Sequence, residues 1–498
     1  MALAKDLVAK FQESSTAVKV GVLAGGSVAV YATMWAMRPR GKKAPPTYAP
    51  GLPLIGGTLA FLKDPLALIM AGFRAKGGVF QMRIVTKQFC FLVGPEAHAP
   101  FYTNSDQVLD QAQLYAFTVP VFGPKVVFDV EWAVRKQQLG FVRDRFALRH
   151  MNGYVNLVKD EAEALFGDMM ARGGNVNIRE EMMELLTRTS TACLMGTEVR
   201  AALNKGVGEY LSHLEQGMQS YSVFAPFAPT DRHRKRDFAR KKMGEIFTEI
   251  LAERRKATES RNDKMADMID KFLNSAYAPS GKKLTDEEIT GLCIAAFFGG
   301  MHNSAITTAW TLLYIHDKKN KNILSRLRAE QAHVKSQYKD GLDYKALKDM
   351  PLLKACVKEV LRLRPPLVIL MRTLQSWINV CGYDVAPGTV VVTCPPVAHR
   401  IETIYEDPES FNPDRWMTKD EKDLPPHSFI AFGGGARRCL GEHFGELQVM
   451  TIVSHVLQNY DVDLAEGCPG AGFQGMVVGP EGQCRAALKP LAGAAGGA

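Results

Sequence analysis

A chain of 498 residues, 46% hydrophobic and 23% charged, has the composition of a globular protein with a sizeable core, which excludes a disordered chain and a many-span membrane protein. Its formal charge of +9 suits nucleic acid, an anionic bilayer or an acidic protein partner, but no nucleic-acid motif accompanies that charge. Nine cysteines, an odd number with no CxxC pair, exclude a disulfide framework and a zinc or dithiol site and read as reduced thiols facing the cytosol.

After a short lead, residues 1–19, the run VGVLAGGSVAVYATMWAM from Val20 to Met37 carries no charge. Its 18 residues, at about 1.5 Å each, nearly cross a hydrocarbon core of roughly 30 Å. A single uncleaved anchor over 20–37 is expected, because the long charged lead and the bulky residues at the end of the run fit a cleaved signal peptide poorly. Arg38, Arg40, Lys42 and Lys43 follow and should stay on the cytosolic side. Residues 38–53 end in the proline-rich PPTYAPGLP, a stiff extended linker. A catalytic domain is expected over 54–491, followed by a Gly/Ala tail over 492–498.

Strand-like runs come early, VFQMRIV (79–85) and FCFLVG (89–94), and helical patterns dominate from about Gln107 to Tyr338, so the fold class is mainly α with minor β. The aromatic and branched stretch YAFTVPVFGPKVVFD (115–129) reads as a core strand or loop, and a helix starts near Glu131. Residues 231–264 alternate Lys, Arg and Glu around an apolar stripe at Phe238, Met243, Ile246, Phe247 and Ile250. That is a solvated amphipathic helix; the interleaved base-stacking aromatics of a nucleic-acid surface are missing.

A long helix is predicted from Asp286 to about His316. Thr285 and Glu288 form a capping box at its start, and the run GLCIAAFF is too apolar for the surface. Gly299 and Gly300 sit at its centre, where each glycine costs about 1 kcal/mol against alanine, so the bare backbone is needed there. Downstream, Glu359 and Arg362 share one helix face in KEVLRLRPP, a spacing that taken alone is usual for a surface salt bridge. The run LVILMR (367–372) reads as a buried strand.

The sequence FGGGARRCLG (432–441) places Cys439 after a glycine-rich loop and before the apolar helix FGELQVMTIVSHVL. Backbone N–H groups near a helix start favour a thiolate and hold its sulfur as a fixed ligand. Arg437, two residues earlier, supplies a cation for an anionic group on what the sulfur binds. With Phe432, Gly433, Gly435, Arg437, Cys439 and Gly441 all at their offsets, Cys439 is the expected axial ligand of a haem iron.

At these residues the chain resembles the cytochrome P450 superfamily, whose cysteine loop reads Phe-x-x-Gly-x-Arg-x-Cys-x-Gly. The family's Glu-x-x-Arg pair maps onto Glu359 and Arg362, with Arg415 of FNPDRW as the third partner, a structural support for the haem pocket. The resemblance narrows to the sterol 14α-demethylase branch, in its plant and algal form. Tyr115, Phe117, Pro120, Phe122, Gly123, Val127 and Asp129 match that branch's substrate-wall segment, and GGMHNSAITTAW matches its AGQHTSxxTxxW.

The resemblance implies a substrate cavity lined by Tyr115, Phe117, Phe122, Val127, Phe128, Phe298, Leu367, Ile369, Leu370 and Met371. Arg372 and Lys136, with Arg135 as the alternative, become propionate-binding cations beside Arg437. Phe128 stands where many members have a tyrosine; with Phe117 this points to the green-lineage form, which prefers 4α-monomethyl sterols such as obtusifoliol. His302 sits beside the double glycine where the superfamily keeps an acidic residue, and its imidazole is placed to feed protons. Asn303 replaces the expected threonine, and an amide cannot relay a proton as a hydroxyl does, so Ser304 or a water is the implied substitute.

The implied activity is removal of the 14α-methyl group of a sterol in three oxidations that use dioxygen and NADPH-derived electrons, releasing formate. The implied cofactor is haem b, and the implied partner is an NADPH-cytochrome P450 reductase docking on a basic face near Arg437 and Arg438. A monomer held at the endoplasmic reticulum by its anchor is expected. The alternatives are another lipid or xenobiotic monooxygenase of the superfamily, a reductase-independent haem-thiolate isomerase or dehydratase, and a haem-binding protein without turnover.

Overall fold

The computed structural model describes residues 43–51, 56–84, 87–203, 206–218, 222, 225–256, 267–339, 341–474 and 477–491. The expected anchor over 20–37, the lead before it, residues 38–42 and 52–53 of the linker and the tail over 492–498 lie outside the described residues. Among the described residues one helix is long and apolar enough to cross a bilayer, Asp286–His316, and it is the buried central helix of the body.

That helix begins where its capping box requires. The Thr285 hydroxyl accepts from Glu288 N at 3.2 Å, and the Glu288 carboxylate accepts from Thr285 N at 2.8 Å. Of the described helices we label the seven that bear on the site, α1 (Trp132–Arg143), α2 (Ile178–Ser190), α3 (Val207–Gln216), α4 (Asp231–Lys256), α5 (Asp286–His316), α6 (Pro351–Leu363) and α7 (Glu442–Asn459). The central α5 packs against α2, α4, α6 and α7, with Trp310 fully buried at its C-terminal half.

On α4 the buried stripe is Ala239, Met243, Phe247 and Leu251, a strict four-residue repeat. Phe238 does not belong to it. One residue off that repeat, its ring is 53% exposed and meets Tyr210 of α3 edge-on at 6.2 Å.

The second layer is a five-stranded sheet of β1 (Val79–Ile84), β2 (Lys87–Leu92), β3 (Leu109–Asp110), β4 (Leu370–Leu374) and β5 (Val390–Thr393), in the spatial order β1-β2-β5-β4-β3. Both faces are covered: Phe80, Met82 and Phe91 bury one side, while Cys90, Leu92 and Val391 bury the other. The strand expected over 367–372 forms only from Leu370, and Leu367 before it is 38% exposed. The register pairs Arg372 with Val391 and Asp110 with Thr373, which brings the segment around residue 110 beside Arg372. The cavity that matters lies where this sheet meets α1, α5 and the cysteine loop.

Candidate active site

The site is built on the cysteine loop, the edge of the sheet and the helices that face them, α1 and α5 foremost. Gly433 and Gly435 adopt positive φ, +72° and +61°, so the chain folds back and Cys439 N donates to Phe432 O at 2.9 Å. A Cβ on Gly435 would collide with the Tyr102 carbonyl oxygen, so the loop reaches its position only as glycine. Behind it, Glu359 and Arg362 are not a surface pair: both are fully buried and joined by two hydrogen bonds of 2.8 and 2.9 Å.

Arg415 Nε, Trp416 Nε1 and Asn412 N complete the acceptors of Glu359 at 2.8–3.0 Å. Arg362 spends its remaining donors on the carbonyls of His399, Pro408 and Ser410. His399 links this cluster to the cysteine loop, its Nδ1 donating to Arg362 O at 3.1 Å and its Nε2 accepting from Ile430 N at 2.9 Å. A fully satisfied buried network of this kind rigidifies what it touches.

Cys439 opens onto a cavity of about 530 Å³. Burial pushes its thiol up while the Gly441 N–H and Arg438 pull it down, so the protein alone leaves the thiol to be deprotonated by a metal cation. Tyr115, Val127, Phe128, Leu367, Leu370 and Met371 line the cavity, as do Asn303 and Ser304 from α5 and Phe432, Gly433 and Gly441 from the loop. Tyr115 stacks on Phe128 with 4.7 Å between ring centroids, and the Arg135 guanidinium lies 5.3 Å over the other ring of that pair, Phe128. Phe128 thus meets the cation with its ring face and, lacking a tyrosine's hydroxyl, adds no hydrogen bond at this edge of the cavity.

Several expected residues lie elsewhere. Gly299, Gly300, Asn303, Ser304 and Thr307 turn toward the cavity, whereas Phe298 and His302 sit one step round the helix. There His302 stacks on Phe298 at 6.0 Å and its Nε2 lies 3.2 Å from the Glu215 carboxylate on α3. Phe117 is buried behind Tyr115, Phe122 belongs to the helical core and Ile369 packs in the sheet.

Lys136 is exposed, and Arg135 takes its place in the cavity: the inward face of α1 carries the buried Arg135 and Gln138, and position 136 lies about 100° away. The expected basic docking face also changes. Arg437 turns inward and Arg438 is tied to Glu442 by two 2.6 Å hydrogen bonds, so neither offers a free cation to a partner.

At one end of the cavity three arginines converge. Arg135 donates to Val127 O at 2.6 Å, Arg437 donates to Asn104 O at 3.1 Å and pairs with Asp106, and Gln111 is wedged between Arg135 and Arg372. Burial pushes Arg135 and Arg437 down and holds Arg372 at about 10. The Nε atoms of Arg372 and Arg437 are buried without a hydrogen-bond partner.

Buried cations with unspent donors call for anions. A flat macrocycle with two carboxylates at one edge and a thiophilic metal at its centre meets both demands, so the residues present fit a haem. Arg372, Arg437 and Arg135 would hold its propionates and Cys439 its iron. Asp106 and Gln111 escaped sequence reasoning, and only their place beside β3, paired to β4, signals them.

The family model described as Cytochrome P450 matches residues 45–481. The sterol 14-demethylase of Arabidopsis thaliana is 38% identical over 89% of this chain and 90% of its own length. The obtusifoliol 14-alpha demethylase of Sorghum bicolor is 37% identical over 89% and 90%, and the lanosterol 14-alpha demethylase of Bos taurus 31% over 89% and 87%. Among solved structures, retinoic acid bound cyanobacterial CYP120A1 superposes with a TM-score of 0.78 at 23% identity, covering 90% of this chain and 99% of its own, a likeness of fold. The buried Glu359–Arg362 pair and the Cys439 loop thus stand within a match that spans most of the chain, which belongs to the cytochrome P450 family.

Proposed function

We propose that this chain is a sterol 14α-demethylase acting on an obtusifoliol-like 4α-monomethyl sterol. The observation that carries this reading is the apolar cavity over Cys439, walled by Tyr115, Phe128, Leu370 and Met371 and closed on its far side by α5. An uncharged sterol is held by such a wall with few polar anchors. The names of the plant relatives support both the substrate class and the preference for an obtusifoliol-like sterol.

A haem bound through Cys439 supplies oxygen activation, with the thiolate favouring O–O cleavage. The chain's own residues exclude water, orient the methyl group and bring protons. Leu292, Ala295 and Ala296 extend the apolar lining along α5, and Gly299 keeps the helix backbone at the cavity surface.

Asn303 Nδ2 donates to Gly299 O at 3.1 Å, tying the amide to the helix, and Thr307 donates to Asn303 O at 2.7 Å. Ser304 is the cavity hydroxyl next to that amide and holds the proton for delivery. His302 and the half-exposed Glu215 bring protons from solvent to the back of the same helix turn. The methyl group passes through alcohol and aldehyde and leaves as formate, with electrons from NADPH delivered by a flavin reductase. The chain works at the endoplasmic reticulum membrane, anchored by residues 20–37.

The test is turnover of obtusifoliol and of lanosterol by purified protein with reductase and NADPH. Formate and a 14-demethylated sterol, with obtusifoliol preferred, are expected. Equal turnover of both sterols refutes the preference, product without reductase refutes the monooxygenase, and an intact haem spectrum without product refutes the enzyme.

A further inference from the structure

Among the described residues, Asp106 is the carboxylate that pairs with two of the three cavity arginines. Its Oδ1 pairs with Arg437 Nη2 and its Oδ2 lies 3.9 Å from Arg135 Nη1, with Arg135 and Asp106 each 7% exposed. Oδ2 is buried and accepts no hydrogen bond, so the carboxylate acts on Arg135 through charge. A second carboxylate, Asp110, accepts from Ala112 N at 3.2 Å and also bears on Arg135 by charge, without an ion-pair contact to the arginines. Three guanidinium groups bring positive charge to the cavity edge, and the Asp106 and Asp110 carboxylates offset part of it. A haem presents two propionates. Arginines in excess of carboxylates complement that dianion, and Asp106, in direct contact with two of them, sets how large the excess is.

We propose that Asp106 is a positioning residue that sets the net charge of the propionate-binding arginine cluster, and through it the reduction potential of the bound haem. Low dielectric and exclusion of water make each charge at this depth act strongly on its neighbours. Reduction of the iron adds negative charge to the site, so a more positive cluster favours the reduced form. Asp106 holds the potential down and keeps Arg437 turned along the cavity edge, leaving its Nε for a propionate. This rests on the haem pocket and not on the substrate, so substrate-free protein is the material for the test and a failure of sterol turnover leaves the result standing.

The experiment compares the full-length holoprotein with Asp106→Asn and Asp106→Glu by spectroelectrochemical titration, and measures the rate of haem transfer to excess apomyoglobin. The Asn variant should titrate at a more positive midpoint potential and release haem severalfold more slowly, because the three arginines then act on the propionates with Asp106 no longer offsetting them. The Glu variant, which keeps the charge, should stay near the parent in both. Asp106→Ser, equally neutral and smaller, replaces Asn if that variant does not fold and is held to the same outcomes. A neutral variant with the parent's midpoint potential overturns the proposal. So does a Glu variant that shifts as far as the neutral one, since shape and not charge would then govern the site.

Discussion

Lowering the pH from 7.5 to 5 should destabilise this protein far more than its surface charge accounts for, because four histidines, three of them buried and His455 half-buried, are held as neutral rings. Burial holds His399 at about 3 and His98, His316 and His455 at about 4. Neighbouring cations add to this: Arg362 and Arg400 at His399, Arg328 at His316, and Lys159 at His455. A histidine whose folded value lies below its unfolded value of about 6.5 contributes stability that is complete above that value and is lost as pH falls toward the folded value.

At pH 5 the unfolded ring is protonated and the folded one is not, which costs roughly 2 kcal/mol per histidine, or about 8 kcal/mol for four. A domain's whole stability is about 5–15 kcal/mol. Asp267, Glu330 and Glu446, which burial holds above the usual carboxylate range, run the other way as the pH falls further. Urea unfolding followed by circular dichroism at half-unit steps from pH 7.5 to 5 measures the slope. His399→Gln keeps a donor for Arg362 O and an acceptor for Ile430 N while removing one titration, so its slope should be shallower by about a quarter. A flat profile in the parent, or an unchanged slope in His399→Gln, refutes the reasoning.

Glu359→Ala strips the acceptor from Arg362, Arg415, Trp416 and Asn412, and breaking one side of a buried pair costs about 3–5 kcal/mol; thermal unfolding should show a sharply lower midpoint and poor soluble yield. Gly291 and Gly299 of α5 should behave oppositely when made alanine. A Cβ on Gly291 strikes the Phe122 carbonyl and costs about 1–3 kcal/mol despite the gain in helix propensity, whereas one on Gly299 meets no atom within 4 Å. Calorimetry should therefore find Gly299→Ala at least as stable as the parent, while its sterol-induced spectral shift weakens because the methyl projects into the cavity. Arg135→Ala should lose haem to apomyoglobin at least tenfold faster than the parent, and Lys136→Ala at the parent's rate; the reverse result would return Lys136 to the cavity.

How much of this was legible depended on whether the cause was local. The start of α5 was readable to the residue because a capping box is chemistry between residues three apart, and the Cys439 loop was readable because its glycines serve backbone angles that few other residues adopt. Rotational phase was not. Arg135 and Lys136 are both long cations on one amphipathic turn, and only the packing of Gln138 against Lys125 O and Tyr277 settles which points inward. Arg437 and Arg438 diverge in the same way, one to Asp106 and the other to Glu442. His302 was expected to feed protons because it stands beside the double glycine at the superfamily's acidic position, and a single step of helix carries it round to Glu215. The burial of Glu359 and Arg362 was also invisible, since three residues apart on a helix describes an exposed pair equally well.

The arginine cluster has a consequence for how the protein matures. Its members come from near residues 106, 135, 372 and 437, so the pocket requires contacts spanning more than 300 positions and forms only once sheet and helical body have docked. Contacts of such sequence separation form late and carry most of the loop-closure cost. A group that binds the docked arrangement alone stabilises it by mass action, in proportion to the logarithm of its free concentration. Haem supply in the producing cell therefore acts as a quality control on this chain: when it runs short, the molecules that accumulate are those whose two layers have not yet locked together.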